Sequence, residues 1–214
     1  MVRLRQKLKN KKKLFKWLIF INISTFFFCN NSRLPNNCEK TRLEWNGKII
    51  SEKDFEKKTK NGTGKFIGWD ENGNKYVEID YKDGKIHGKW IEWWFQGHKE
   101  FEKDYIEGKP HGKWIRWRLN TGKKESEIEY RNGKKHGIEI LWYENGNKWM
   151  EKNYKFGKAH GKFIVWHENG QKELEGQYKK GEKHGKFYYW DANGNLKSIE
   201  TWNEGKFVNE YNKF

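Results

Sequence analysis

Residues 154–175 read Tyr154-Lys-Phe-Gly157-Lys-Ala-His160-Gly161-Lys-Phe-Ile-Val-Trp166-His-Glu-Asn-Gly170-Gln-Lys-Glu-Leu-Glu175. Two glycine-centred turns bracket the run Phe163-Ile-Val-Trp166, whose aromatic and β-branched side chains favour a strand over a helix. Asn169-Gly170 is a strong hairpin signal, because both residues tolerate the positive φ that a type I′ turn requires. The segment reads as one β-hairpin with strands of about six to eight residues.

Outward from this hairpin the pattern recurs in both directions. Trp69, Trp93, Trp117, Trp142, Trp166 and Trp190 fall at intervals of 24, 24, 25, 24 and 24 residues. A glycine follows four residues after each, as in Trp69-Asp-Glu-Asn-Gly73. The third copy, Trp117-Arg-Leu-Asn-Thr-Gly122, carries one extra residue, which accounts for the interval of 25. Eight residues beyond that glycine stands an aromatic, in turn Tyr81, Tyr105, Tyr130, Tyr154, Tyr178 and Trp202. After it comes a second turn ending on a His-Gly pair at Gly88, Gly112, Gly137, Gly161 and Gly185. A fixed period of this length means one supersecondary unit copied end to end, each copy burying its apolar surface only against its neighbours. The fold class is all-β: tandem antiparallel hairpins of about 24 residues forming one elongated, twisted meander sheet, with an N-terminal hydrophobic targeting helix.

Alternation along the second strand predicts two faces. Counted from the first-turn glycine, positions +2, +4 and +8 share one face, as in Lys75, Val77 and Tyr81. Position +5 lies on the other, giving an acidic ladder of Glu78, Glu102, Glu127, Glu151 and Glu175. Its rungs are roughly 10 Å apart, so their repulsion is small and screened by salt. On this reading Lys75, Lys99, Lys124, Lys148 and Lys172 line the Tyr face.

The unit resembles the membrane occupation and recognition nexus (MORN) repeat in its bacterial variant, over residues 62–208. The resemblance implies hairpins added side by side into a platform for interactions. It also implies an alternative role, since bacterial members are often described as antitoxin-like modules that neutralise a toxin. The opening copy, Lys60-Asn61-Gly62-Thr63-Gly64, lacks the His, and the last has Ile199 for Glu and Trp202 for Tyr. These read as caps on an otherwise open sheet. MORN repeats also precede the catalytic domain of some phosphatidylinositol phosphate kinases, but none of the kinase motifs stands here.

The repeated Trp and Tyr read as packing. Trp90, Trp94, Trp114 and Trp149 are not demanded by the repeat and, with Phe95, form the candidate binding surface. His87, His111, His136, His160 and His184 line one edge, yet imidazoles roughly 10 Å apart cannot share a metal ion. No nucleophile elbow, phosphate loop or Cys-x-x-Cys stands in the chain. The reading is non-enzymatic, with no catalytic residue, metal, cofactor or small-molecule substrate.

Eight of the first sixteen residues are basic, and the uncharged stretch Trp17 to Phe28 follows. That is a charged region and an apolar region of signal-peptide length, shorter than the roughly 20 residues of a spanning helix. Cys29 stands where a lipoprotein cysteine would, although Phe26-Phe27-Phe28 is a poor approach to one. Three readings remain: a lipidated exported protein, an uncleaved or irregularly cleaved anchor, and a cytoplasmic protein with a basic tail. Segments 1–29, 30–58 and 59–214 are then a signal or anchor, a tether with an eroded strand or hairpin near Leu43 to Ile50, and the repeat array.

The formal net charge is +16, of which residues 1–40 supply +9 from ten basic side chains and one acidic. The remainder is only mildly basic, so nucleic acid is not favoured as a partner, and nucleic-acid or phospholipid-headgroup binding is a third, weaker reading. The expected function is a non-catalytic scaffold at the cell envelope that presents its sheet to a protein, with membrane association through the N-terminal segment.

Overall fold

The computed structural model describes residues 42–94 and 97–212. They form one antiparallel sheet of sixteen strands and a single helix. In chain order these are β1 (Arg42–Trp45), β2 (Lys48–Ile50), helix α1 (Glu52–Asn61), β3 (Gly64–Trp69), β4 (Lys75–Lys82), β5 (Lys85–Trp93), β6 (Lys99–Ile106), β7 (Lys109–Trp117) and β8 (Lys124–Arg131). There follow β9 (Lys134–Trp142), β10 (Lys148–Lys155), β11 (Lys158–Trp166), β12 (Lys172–Lys179), β13 (Glu182–Lys183), β14 (Gly185–Trp190), β15 (Leu196–Asn203) and β16 (Lys206–Asn212). From β3 to β16 every hairpin pairs with the next, as the 24-residue period requires.

Residues 42–50 form the hairpin expected near Leu43 to Ile50, and the helix after it is what the tether reading lacked. Asn46-Gly47 turns β1 into β2, and β1 pairs with both β2 and β3. β2 and β3 are therefore parallel with β1 between them, and their connection must cross one face of the sheet. α1 is that crossover. Ser51 caps it by accepting from Asp54 N at 3.1 Å, Glu52 and Asp54 sit in its first turn, and Lys58 and Lys60 in its last. Phe55 enters the sheet against Phe66, ring centres 4.4 Å apart. With Phe66, Leu43, Trp45, Val77, Ile79 and Tyr81 it makes an extended core among the described residues, each member at most 4% exposed.

The two turn types are the reverse of the expectation. Asn72, Asn145, Asn169 and Asn193 are absent from the positive-φ backbone; only the glycine after each adopts it. Asn145 and Asn169 instead donate to the carbonyls of Glu168 and Ala192 in the next copy, at 2.9 and 2.7 Å. The two-residue turn with both φ positive is the second one, as in Asn132 (51°) with Gly133 (79°). Its glycine N–H reaches back to the preceding copy, Gly133 to Pro110 O at 2.8 Å and Gly157 to Lys135 O at 2.7 Å.

Four of the His-Gly pairs lie within strands and the fifth, His184-Gly185, at the break between β13 and β14; there the register between successive hairpins slips, as between Tyr81↔Ile86 and Ile79↔Trp90. This bulge frees a backbone N–H, and a side chain takes it: Lys89 N donates to Asp80 and Lys113 N to Asp104, at 3.0 and 3.1 Å. A second bulge follows position +2 on the other strand, as between Lys148 and Met150. It reverses parity, so Lys75, Lys99, Lys124, Lys148 and Lys172 share a face with the repeat Trp and Glu and not with the Tyr.

Candidate interaction faces

On the Trp face four of the five ladder glutamates sit between two lysines, while Glu151 pairs with Lys148 at 2.9 Å and has Ile138 where the other copies offer a second lysine. Glu102 pairs with Lys89 and Lys99, both at 2.7 Å, and Glu127 with Lys113 at 2.8 Å and Lys124 at 2.7 Å. Glu78 is held by Lys65 and Lys75, and Glu175 by Lys172 at 2.6 Å with Lys162 at 3.7 Å. Burial pushes the carboxyl of Glu102 up, but the hydrogen bonds from Lys89 and Lys99 outweigh it and hold the group below its usual range. Each +2 lysine then reaches over the indole of the next copy, and Lys75 over that of its own copy as well. Lys75 lies 5.7 Å from the Trp69 ring centre and 5.2 Å from that of Trp93; Lys124 reaches Trp142 at 5.7 Å and Lys148 Trp166 at 5.6 Å. In the second copy Lys89 and Lys99 balance Glu102 and Asp104, so this face has almost no charge left for a polyanion.

The Tyr face is built differently. At its N-terminal end α1 covers it and Tyr81 is buried. Beyond Tyr81 no second layer covers it among the described residues, and half-buried rings follow in file. Trp90, Tyr105, Trp114 and Tyr130 are spaced by 5.9, 5.3 and 4.7 Å between ring centres. Burial, then Glu92 and Tyr130, pushes the Tyr105 hydroxyl up to about 12. After an interruption at Glu139, rings resume with Phe163, Tyr178 and Phe187, spaced by 5.5 and 5.8 Å.

Glu139 occupies the place that Phe66, Trp90, Trp114, Phe163 and Phe187 hold in the other copies. It is 7% exposed and bonds Lys135 at 2.5 Å. Burial and a hydrogen bond to Glu139 together push the Tyr154 hydroxyl well up.

The proposed aromatic patch separates into three parts. Trp90 and Trp114 belong to the Tyr-face file, and because they occupy the repeat's own aromatic position they are part of the pattern and not additions to it. Trp94 is 8% exposed at the first-turn edge. It stands where Arg118, Tyr143 and His167 each bond the Trp carbonyl of the next copy, at 2.8, 2.7 and 3.1 Å. Trp149 sits in the second bulge, 46% exposed, 6.1 Å from Tyr143. Phe95, Cys29 and the expected targeting helix within residues 1–29 lie outside the described residues.

Three of the five repeat histidines staple copies together: His87, His136 and His160 accept from the N–H of Glu107, Phe156 and Lys180 through Nδ1, at 3.4, 3.5 and 3.4 Å, whereas Nδ1 of His111 and of His184 is buried without such a bond. Among the described residues no three His, Cys, Asp or Glu side chains converge as metal ligands.

Among curated proteins none matches the chain. The family model for the MORN repeat variant matches residues 63–83, 135–156, 159–180 and 183–204, each spanning one hairpin step of the sheet described above. The second and third copies, which carry Trp90, Trp114 and the extra residue before Gly122, fall between the matched segments yet pair in the same way. With four matched copies in register with the observed hairpins, the chain belongs to the MORN repeat variant family.

Proposed function

We propose that the protein is a non-catalytic docking scaffold whose Tyr face receives a protein partner at the cell envelope. The carrying observation is the file from Trp90 to Tyr130, with its continuation through Phe163, Tyr178 and Phe187. These are large rings, half-buried except for the fully buried Phe187, on a sheet face without a second layer among the described residues, next to the same face under α1, where an aromatic side chain is already seated. The basic N-terminal region and the apolar run Trp17 to Phe28 support the envelope location, with Cys29 as the candidate lipidation site.

Two measurements test this. Intact mass and fractionation from the native host address location. A mass starting at an acylated Cys29 in the membrane fraction supports the envelope, whereas an unmodified chain starting near Met1 in the soluble fraction turns the reading toward a cytoplasmic, toxin-neutralising module. Photo-crosslinkers placed at Tyr130 and at Trp142 address the face. Crosslinks from Trp142 without any from Tyr130 would move the docking surface to the opposite side.

A further inference from the structure

Lys103, Lys135, Lys152 and Lys183 enter the Tyr-face file, and Lys135, 5.0 Å from the Tyr154 ring centre, is paired with Glu139 at 2.5 Å. Lys103 pairs with Glu92 at 3.0 Å and Lys183 with Glu200 at 3.3 Å. Lys152 stands at the same place in its copy as Lys103, six residues after the first-turn glycine, but the sequence offers Leu141 where Lys103 has Glu92. Its ammonium lies 4.5 Å from the Tyr178 ring centre, 5.2 Å from Phe163 and 5.7 Å from Tyr154, and it forms no ion pair with a described residue. Glu139 is its cross-strand neighbour, yet that carboxylate is engaged by Lys135 and by the Tyr154 hydroxyl. Burial holds the Lys152 amine below the usual lysine range, Glu139 opposing the shift and Lys135 adding to it.

A partly dehydrated ammonium without a counter-ion is an electrostatic vacancy that a ligand can fill without breaking an existing pair. We infer that Lys152 is the receptor for one carboxylate, the Asp or Glu side chain of a protein segment lying along the Tyr face with apolar residues beside it. This rests on that face being the docking surface. The adjacent Glu139 charge disfavours a doubly charged phosphate, and the rings of Phe163 and Tyr178 suit the apolar neighbours of an acidic side chain. The seating of Phe55 against Phe66 shows the same face accepting such an aromatic neighbour within the chain.

The test is a nuclear magnetic resonance titration of the full chain with acetyl-Phe-Glu-Leu-amide and with acetyl-Phe-Gln-Leu-amide, following Lys152, Tyr154 and Tyr178. The Glu peptide is expected to bind about tenfold more tightly, the usual margin of a charge-assisted hydrogen bond. Lys152→Met should erase that margin and leave the binding of the Gln peptide unchanged, Lys152→Arg should keep it, and Lys148→Met on the Trp face should leave it untouched. Equal binding of the two peptides, or a margin that survives Lys152→Met, overturns the carboxylate site while leaving the docking face standing. Inorganic phosphate binding at Lys152 more tightly than the Glu peptide overturns the choice of ligand. If neither peptide shifts any Tyr-face resonance, the site and the docking reading fall together.

Discussion

Gly176→Ala tests the packing of the Tyr face, because two opposing effects give it opposite signs. In a strand interior alanine is ordinarily better than glycine by about 0.5–1 kcal/mol, since glycine loses more backbone freedom on folding. Gly176 has no positive φ to protect it from substitution. Its missing side chain, however, is where Phe187 sits: a Cβ there would lie 2.4, 2.5 and 2.6 Å from three atoms of that ring. Normal contact is about 3.5–4.0 Å, so the ring must move by more than an ångström. Phe187 is fully buried, with the Tyr178 ring 5.8 Å away and the Lys183 ammonium 4.8 Å from its own centre. Overpacking of this kind costs about 1–3 kcal/mol. The net expectation is destabilisation, read by urea unfolding, with the faster amide exchange confined to β12, β14 and β15. Phe187→Leu shortens the occupant, so in that background Gly176→Ala should cost markedly less, and the double-mutant cycle should show coupling. A stabilising Gly176→Ala, or strict additivity with Phe187→Leu, would refute the reasoning.

Removing the ring of Phe55 by substitution to Ala should cost about 3–5 kcal/mol, with amide protection lost in residues 42–82 and retained from β9 onward; uniform loss along the sheet would contradict nearest-neighbour stacking. Phe156 holds φ +51° at the first position of its turn, where Asn is the favoured residue. Phe156→Asn should raise the melting temperature; a fall would mean that its ring contact with His136, 4.9 Å between centres, outweighs the backbone strain. The depressed carboxyls of Glu78, Glu102, Glu127 and Glu175 contribute stability that is present above their ordinary value of 4.5 and lost as pH falls through the lower folded values. The raised amines of Lys65, Lys89 and Lys113 contribute stability that is complete below 10.5 and lost as pH rises through the higher folded values. Melting temperature against pH should therefore show a plateau with two falling limbs, and Glu102→Gln with Glu127→Gln should flatten the acid limb. An unchanged acid limb would show that these pairs contribute nothing measurable.

Period, hairpins and strand order were legible because Trp, Gly and Tyr recur at fixed spacing and leave no other way to bury aromatic area. The facing of the lysines was not, because alternation presumes an unbroken pleat. One extra residue at Tyr76, Glu100, Glu125, Trp149 or Glu173 inverts everything before it, and only the recurrent Lys-x-x-Glu spacing hinted that both residues share a face. The His-Gly pairs carried a readable signal too: a glycine inside a strand pattern marks a bulge as often as a turn. Helix α1 was announced by Ser51-Glu-Lys-Asp54 and missed beneath a local richness in lysine. Trp90 and Trp114 looked like additions because the copies that define the pattern place Phe at that position; register, which only the sheet supplies, makes them equivalent.

The six copies also divide the labour between the faces. On the Trp face the same residue types return: Trp, the +2 Lys in five copies, the +5 Glu in five copies. Such constancy is what stacking demands, since each Lys must meet both its own Glu and the next Trp. A ligand there would have to break pairs already made. On the Tyr face one register position reads Ile79, Lys103, Ile128, Lys152, Gly176 and Glu200, and the strand opposite reads Phe66, Trp90, Trp114, Glu139, Phe163 and Phe187. Geometry is held there by the backbone and the Tyr row, so these two positions are free to differ without disturbing the stack. A repeat array that binds one partner in one register needs such differences, because a strictly periodic face would let the partner slide by about 10 Å per copy at equal energy. Glu139 and Lys152 break the periodicity midway along the file, which is where a register mark is most useful.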